Sequence, residues 1–281
     1  MTIKMHLKDL PSHKLRLIGP ADPSFDERLA REIKPESSSV GDALRPFSVF
    51  LENQGTRAVV AYVIEWCFTR PDGSNQYYRK AVLSPQEFIY AESLSPELRR
   101  QSGHIEEGAV VFLSLLANDG SGILRTEATA KEVEEIRQGK PLNQDSFLER
   151  FKAEAAQFTE ITVSIDAAFF DDGTFVGPDS SNFFAQTKAV IDARRDFLNE
   201  LAVANSKSDK DRDLFHQRIQ DAATQALDLH SSSTPADFYN YFKKLSAEEF
   251  LRMKDVQGEE KAIAMSIRPM KKPWVTLRKK E

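Results

Sequence analysis

The sequence predicts an α+β protein in which an antiparallel β-sandwich is followed by a C-terminal helical region. Strand-like alternation with short turns dominates the first part of the chain, and helical periodicity dominates the last part. Because strands come first and helices later, the order does not fit alternating β-α units. We therefore place the sandwich at residues 14–180 with a helical insertion at about 127–158, a helical region at 181–262 and a basic tail at 263–281.

Composition and charge narrow the class of protein. The chain has 281 residues, of which 41% are hydrophobic, so it can bury a sizeable core. Phenylalanine, with 19 residues, dominates the aromatics and has no polar group, which indicates packing. The formal net charge of −5 argues against nucleic-acid binding over a broad basic surface.

The cysteine content and the hydropathy pattern bear on location. Cys67 is the only cysteine, so an intramolecular disulfide is impossible and a reducing, cytoplasmic compartment is the simplest expectation. The N-terminal residues 1–14 lack the continuous apolar segment of a signal peptide. No apolar run approaches the ~20 residues of a membrane-spanning helix, so we expect no membrane span.

The most regular alternation in the chain runs from Val59 to Thr69. Turn-forming residues at 53–55 and at 71–73 flank it and predict two successive antiparallel hairpins, with outer strands at 45–53 and 76–83. The large side chains on one face of the central strand are Val60, Tyr62, Ile64, Trp66 and Phe68.

The remaining segments of the first part of the chain have less regular sequence patterns. Residues 1–13 are polar and predict irregular structure, and alternation at 14–18 predicts a strand. Residues 26–33 fit either a short helix or an edge strand. Apolar residues on both faces of 109–116 predict a central, covered strand. Two helices form the insertion, at 130–137 and 144–158, and the last strands are expected at 161–169 and 174–176.

Helical periodicity predicts at least four helices in the C-terminal region. The first two are expected at 182–204 and 210–229. Pro235 suits the first turn of a third helix. The segment Ser246–Glu249 fits a capping box that begins another helix, which Gly258 would weaken or end.

The long strand with Trp66 on its apolar face resembles the central tryptophan strand of immunoglobulin-like or fibronectin-like domains. The resemblance covers residues 14–180, and it implies a β-sandwich fold without implying an activity. The paired cysteines of antibody domains are absent. The combination of such a domain with helices also resembles bacterial proteins of no assigned activity, which supply no functional residues.

No residue set in the sequence predicts a metal or cofactor. Asp166, Asp171, Asp172 and Asp179 lie close together and could bind calcium, but they do not follow the D-x-D-x-D-G pattern. Turn formation by the Asp171–Asp172–Gly173 segment and helix capping by Asp179 explain them better. The five histidines have no zinc-ligand spacing. We therefore assign no metal ligand and no cofactor.

Catalytic motifs are absent from the sequence as well. It has no G-x-S-x-G segment, and Cys67 lies within a strand without a feature that would activate its thiol. Glu65 faces away from Trp66 and is either an ordinary surface carboxylate or, if helices cover it, one with a raised pKa. We favour the first interpretation and assign no catalytic residue.

Two surfaces are candidates for contact with other molecules. The basic tail contains Trp274 and could touch an acidic partner, although a solvated terminus is the simpler interpretation. The second surface is formed by aromatic residues of the C-terminal helices, which must pack on the chain itself or on a partner or second copy. These residues are Phe183, Phe184, Phe238, Tyr241 and Phe242.

The sequence leaves two functional hypotheses. The first is a non-enzymatic binding or scaffold protein, in which the sandwich is a platform and the helices contact a protein partner or a second copy. The alternative is a hydrolase-type enzyme with a carboxylate site at the junction of sandwich and helices, because many active sites assemble from distant residues. The absence of motifs favours the first hypothesis and leaves open whether the protein is an enzyme.

Overall fold

The computed structural model describes residues 3–32, 45–83, 104–114, 153, 155–206, 209–229, 233–267 and 276–279. Within these residues the protein is α+β, with five α-helices and nine strands in two sheets. The chain divides into two compact units, one formed by Met1–Val82 with Arg100–Ala168 and the other by Leu83–Arg99 with Phe169–Glu281. No described helix combines the length and apolar character that crossing a membrane requires.

The first unit contains seven strands and one helix in its described residues. They are β1 (Lys4–Lys8), β2 (Leu15–Ile18), α1 (Phe25–Glu32), β3 (Val49–Asn53), β4 (Val59–Thr69), β5 (Asn75–Leu83), β6 (Val110–Leu113) and β7 (Glu160–Phe170), whose last two residues belong to the second unit. The helical alternative for residues 26–33 is therefore correct. Phe25 and Leu29 of α1 pack against Ile18 and Phe50 of the β2–β3 ladder.

Two sheets make up the β-structure of the first unit. One has the order β5-β4-β7, with β1 added to β7 in parallel so that Lys4 lies opposite Glu160. The other has the order β2-β3-β6 and is antiparallel, with Leu51 of β3 between Leu17 and Val111. The prediction of an antiparallel arrangement thus holds for the second sheet and is wrong for the β1–β7 pair. Irregular structure for residues 1–13 is also wrong, because the backbone of β1 pairs with β7.

Strand β4 has the predicted bounds and forms the centre of the first unit's core. Residues 59–64 are buried on both faces, whereas beyond them only the Trp66 and Phe68 face stays buried. The Trp66 side chain is fully buried, and its indole Nε1 donates a hydrogen bond to the Phe47 carbonyl oxygen at 3.1 Å. The Phe68 ring centroid lies 5.0 Å from that of Phe158.

The predicted hairpin between β3 and β4 is wrong, because these strands belong to different sheets. The buried side chain of Asn53 organises the crossing between them. Its Nδ2 donates to the carbonyl oxygens of Arg57 at 2.7 Å and Ile105 at 2.9 Å, and its Oδ1 accepts from the Gly55 N–H. The β4–β5 hairpin is confirmed, with the Arg70 N–H donating to the Ser74 carbonyl across its turn.

Strand β6 differs from its prediction. Among the described residues it lies at the end of the β2-β3-β6 order, and three of its four residues are only half-buried, which differs from the central, covered position predicted for it. The predicted insertion at 127–158 falls almost entirely outside the described residues.

The second unit contains the end of β7 and a set of helices. Its elements are β8 (Thr174–Val176), α2 (Phe183–Asn205), α3 (Asp209–Ala223), α4 (Pro235–Gln257), α5 (Glu259–Ile267) and β9 (Arg278–Lys279). β8 pairs in parallel with β9, so an entirely antiparallel arrangement is wrong here too. Most of the predicted basic tail lies outside the described residues.

The helix boundaries follow from capping residues. Pro235 begins α4 as predicted, with Thr234 as the N-cap, and Gly258 ends it. The predicted start at Ser246 is wrong, because its hydroxyl donates to the Phe242 carbonyl within the continuous helix. Helix α3 ends at Ala223, six residues before its predicted end. The helices enclose a core of Phe197, Leu198, Leu201, Ala204, Phe215, Ile219, Ala247, Phe250, Ala262 and Ile263.

Candidate binding groove

A groove of about 350 Å³ lies in the helical part of the second unit. Its walls are the C-terminal half of α3 and the N-terminal half of α4, and α2 contributes to its floor. The apolar lining consists of Phe197, Phe215, Ile219, Ala222 and Ala247, and the polar lining of Glu200, Arg218, Gln225, Asn240, Lys243 and Lys244. Four of the five apolar residues are buried core residues, so the groove has a narrow apolar floor beneath a rim that carries three cations.

The groove exists because small side chains occupy both of its walls. Ala222 on α3 and Ala247 on α4 line it where larger side chains would fill the space. The Phe197 ring is held from two sides, with its centroid 6.3 Å from those of Phe215 and Phe250. Phe197 is 2% exposed and belongs to the packed core of the helices, so the floor of the groove is the surface of that core.

Arg218 stands apart from the other cations of the rim. The Lys243 Nζ lies 2.7 Å from the Glu200 Oε1, and the Lys244 Nζ lies 3.6 Å from the Glu248 Oε1. Arg218 is exposed and has no ion-pair partner among the described residues. Three cations and one carboxylate line the groove, and that carboxylate is already paired.

A tyrosine–carboxylate contact joins α2 and α4 beside the rim. The Tyr239 hydroxyl donates to the Asp196 Oδ2 at 3.0 Å. Burial and, after it, this hydrogen bond raise the pKa of Tyr239 to about 12, so the hydroxyl keeps its proton at neutral pH. The contact holds the two helices together where Lys243 reaches Glu200.

Two of the four aspartates considered for calcium accept backbone hydrogen bonds. The Asp172 Oδ1 accepts from the Thr174 N–H at 2.9 Å, as expected of a turn residue. The Asp179 Oδ1 accepts from the Phe184 N–H at 3.1 Å in the first turn of α2, and its Oδ2 accepts from the Lys279 Nζ at 2.8 Å. Within the described ranges, no three His, Cys, Asp or Glu side chains lie together as metal ligands would.

The residues singled out on β4 lie on the partly covered face of the strand, opposite Trp66 and Phe68. The Glu65 Oε2 pairs with the Arg79 Nε at 2.7 Å; the Glu65 side chain is 13% exposed and that of Arg79 is 42% exposed. Cys67 is half-buried, and its thiol, hydrogen-bonded to the Tyr77 hydroxyl, raises the pKa of that tyrosine. The Tyr77 side chain is 56% exposed, so this group does not form an enclosed site.

The aromatic residues of the C-terminal helices separate into two groups. Phe183 is buried, and the Phe184 ring lies 5.8 Å from that of Phe169 and 5.2 Å from that of Phe175. These two phenylalanines therefore pack on the chain itself. The other group, Phe238, Tyr241 and Phe242 on α4, is half-buried.

The groove was not predicted from the sequence. Phe215, Ile219 and Ala222 lie at positions i, i+4 and i+7 of α3, a spacing that indicates one helix face. The neighbouring Leu214 does not lie on that face, and its side chain is 50% exposed. The spacing of Phe215, Ile219 and Ala222 identifies the buried face of α3, but it does not show that this face borders a groove.

The known proteins give no guide to this site. Comparison of the chain with family models, with curated proteins and with solved structures finds no match in any of the three. The function is therefore argued from the groove alone.

Proposed function

We propose that this chain is a non-enzymatic binding protein whose recognition site is the groove between α3 and α4. The observation that carries this proposal is the combination of an apolar floor with a cationic rim around a volume of about 350 Å³. Small-molecule sites are typically concave and apolar, with a few polar groups that orient the ligand. The packed rings of Phe197 and Phe215 support a floor that is formed before a ligand binds.

The lining chemistry supports binding over catalysis. The side chains around the groove include no serine, threonine, cysteine or histidine, so a nucleophile of the usual kind is absent there. The one carboxylate, Glu200, is paired with Lys243. The hydrolase alternative requires a carboxylate site. Two candidate carboxylates, those of Asp172 and Asp179, accept backbone hydrogen bonds. No observation on the described residues favours that alternative.

The remaining expectations form part of the same proposal. A platform of immunoglobulin-like type for the first unit is supported by the buried Trp66 on β4 and by the two sheets. A cytoplasmic location is supported by the single cysteine. A protein partner or a second copy at the helices is the alternative occupant, and light scattering of the full chain would detect self-association.

A groove-filling variant tests the proposal. Ala222→Trp adds an indole inside the groove, and Gln217→Trp adds the same group at an exposed position of α3 that does not line it. The assay is ligand-observed NMR with neutral, anionic and cationic decyl compounds on the full-length proteins. We expect binding to wild type and to Gln217→Trp, with loss in Ala222→Trp while its circular dichroism stays unchanged.

The contradicting result is equally clear. If no compound of any charge class binds wild type more tightly than the filled variant, the groove is not a recognition site. Should Ala222→Trp lose its fold, Ala222→Met reduces the volume with less strain and provides the same comparison.

A further inference from the structure

We propose that the edge of β8, together with Asp179 and the rings of Phe175 and Phe184, is a recognition site for an extended peptide that carries a lysine. In the structure the chain's own C-terminal strand β9 occupies this site, and Lys279 is the recognised residue. None of these residues lines the groove between α3 and α4, so the proposal does not depend on the function of the groove.

The Lys279 ammonium group contacts one carboxylate and two aromatic rings. Its Nζ lies 2.8 Å from the Asp179 Oδ2, 5.4 Å from the centroid of the Phe175 ring and 5.9 Å from that of the Phe184 ring. A carboxylate beside aromatic faces attracts an ammonium group through its charge and through the ring quadrupoles. The Asp179 side chain is 6% exposed, so departure of Lys279 would leave a nearly buried carboxylate without this cation. The site therefore favours another ammonium group when Lys279 leaves.

The backbone beside the ammonium site is arranged to bind an extended chain. Strand β9 pairs in parallel with β8, so that Lys279 lies opposite Phe175. The Arg278 N–H donates to the Gly173 carbonyl oxygen at 2.9 Å. A strand added to a sheet edge binds through main-chain hydrogen bonds, and the pockets beside the edge select its side chains. Here the pocket selects the residue opposite Phe175.

The receptor side of the contact is held by interactions that do not involve Lys279. The Asp179 Oδ1 accepts from the Phe184 N–H at 3.1 Å, which leaves the Oδ2 for the lysine. The centroids of the Phe175 and Phe184 rings lie 5.2 Å apart, and both rings pack on Phe169. We therefore expect the site to keep its shape when the ligand strand leaves.

The ligand side of the contact is small and exposed. Strand β9 contains two residues, both exposed, and the Lys279 side chain is 51% exposed. A short strand near a terminus, with few buried contacts, opens at a low cost in free energy. Strand β9 is thus suited to act as an internal ligand, which a peptide of similar chemistry displaces.

Peptide binding to full-length variants tests the proposal. The probe is a fluorescein-labelled peptide of residues 274–281, and fluorescence anisotropy measures its dissociation constant. Lys279→Glu places a carboxylate beside Asp179 and displaces the internal strand, so we expect this variant to bind the peptide about tenfold more tightly than wild type. Arg278→Glu makes the same charge change at a residue whose side chain points to the opposite face of the strand, and should bind like wild type.

Two further substitutions assign the lysine contact. Within the peptide, Lys279→Gln and Arg278→Gln remove the same charge, and we expect about tenfold weaker binding from Lys279→Gln only. In the Lys279→Glu protein, Asp179→Asn removes the carboxylate and should abolish the gain in peptide affinity. Asparagine can still accept from the Phe184 N–H and adopts the φ of 62° found at Asp179, and melting temperatures verify the fold of each variant.

Three outcomes would overturn the proposal. If neither wild type nor Lys279→Glu binds the peptide more tightly than the variant with Asp179→Asn, the contact only anchors the C-terminal strand. Equal affinities of the Lys279→Gln and Arg278→Gln peptides would show general charge attraction without a lysine site. A wild-type dimer in light scattering that Lys279→Glu dissociates would place β9 on a second copy and exclude an internal ligand.

Discussion

At the residue scale, two buried polar groups specify how the first unit is assembled. Asn53 is fully buried and satisfies three backbone groups around the crossing between β3 and β4. The Trp66 side chain packs in the core, and its indole N–H donates a hydrogen bond to the Phe47 carbonyl oxygen. Both side chains are buried and hydrogen-bonded, so we expect a substitution of either one to lower the stability of the folded protein.

Asn53→Asp should destabilise the protein by about 2–4 kcal/mol, because a carboxylate cannot donate to the Arg57 and Ile105 carbonyls. Urea denaturation at neutral pH measures the change. Asn75→Asp is the matched control, since it makes the same change at an exposed residue, whose Oδ1 accepts from the Thr69 hydroxyl. Equal effects of the two substitutions would contradict the role given to Asn53.

Trp66→Ala should cost about 3–5 kcal/mol, because it removes the largest fully buried side chain of the described core. Trp66→Phe keeps most of the volume but leaves the Phe47 carbonyl without its indole donor, and should cost about 1–3 kcal/mol. Denaturant midpoints of the two variants give both values. An unchanged midpoint in Trp66→Ala would mean that the core is wrongly assigned.

At the element scale, the start of α4 shows how a cap selects a helix boundary. The Thr234 hydroxyl accepts from the Asp237 N–H, and the Asp237 carboxylate accepts from the Thr234 N–H. The Ser246–Glu249 segment has a similar sequence pattern, but Ser246 already lies within a hydrogen-bonded helix. A capping pattern begins a helix only where the preceding backbone is not helical.

The cap of α4 makes a prediction that depends on pH. The backbone hydrogen bond from Thr234, and after it the Thr234 side chain, hold the pKa of Asp237 below its ordinary value of 3.8. The stabilisation is therefore complete above pH 3.8 and is lost as the pH falls through the lower folded-state pKa. Thr234→Ala should cost about 1 kcal/mol at neutral pH.

Thermal unfolding at neutral and at strongly acidic pH tests the cap. We expect the difference in melting temperature between wild type and Thr234→Ala to shrink in acid, because protonated Asp237 no longer completes the box. Thr234→Ser keeps the hydroxyl and should behave as wild type. A difference that stays constant with pH would exclude the contribution of Asp237.

At the scale of the whole molecule, the burial of each strand predicts how strongly its backbone amides are protected from hydrogen exchange. Strand β4 is buried on both faces over its first six residues, and β7 is buried from Ile165 to its end. Strand β5 consists of exposed and half-buried residues apart from the buried Lys80, and it lies at the end of its sheet in the part of the chain that the structure describes. Local opening is easiest where few apolar contacts hold the backbone.

Native-state hydrogen exchange should therefore be slowest in β4 and β7 and much faster in β5. The comparison of β4 with β5 uses the two strands of one hairpin, so the same turn connects both. Mass spectrometry of peptides covering residues 59–69 and 75–83 provides the measurement. Equal protection of both strands would mean that β5 is covered on a face that the structure leaves open.

The outcome of the sequence predictions depended on whether the signal was local. Val59–Thr69 alternates between large and small or polar residues, and β4 has those bounds. Pro235 and Gly258 also act through local backbone geometry, and they begin and end α4 as expected. The pairing of β3 was wrong, because the 53–55 turn fits a hairpin but the chain crosses to the other sheet.

The sequence by itself determined the α+β class, the long strand β4, helix α2 and the starts of α3 and α4, since periodicity and capping residues act within a few positions of the chain. The tertiary structure alone decided the parallel addition of β1, the exposure of Leu214 and the burial of Phe215. It also decided the groove, which Ala222 and Ala247 line from separate helices. A gap between helices depends on side chains far apart in sequence, and no local pattern records it.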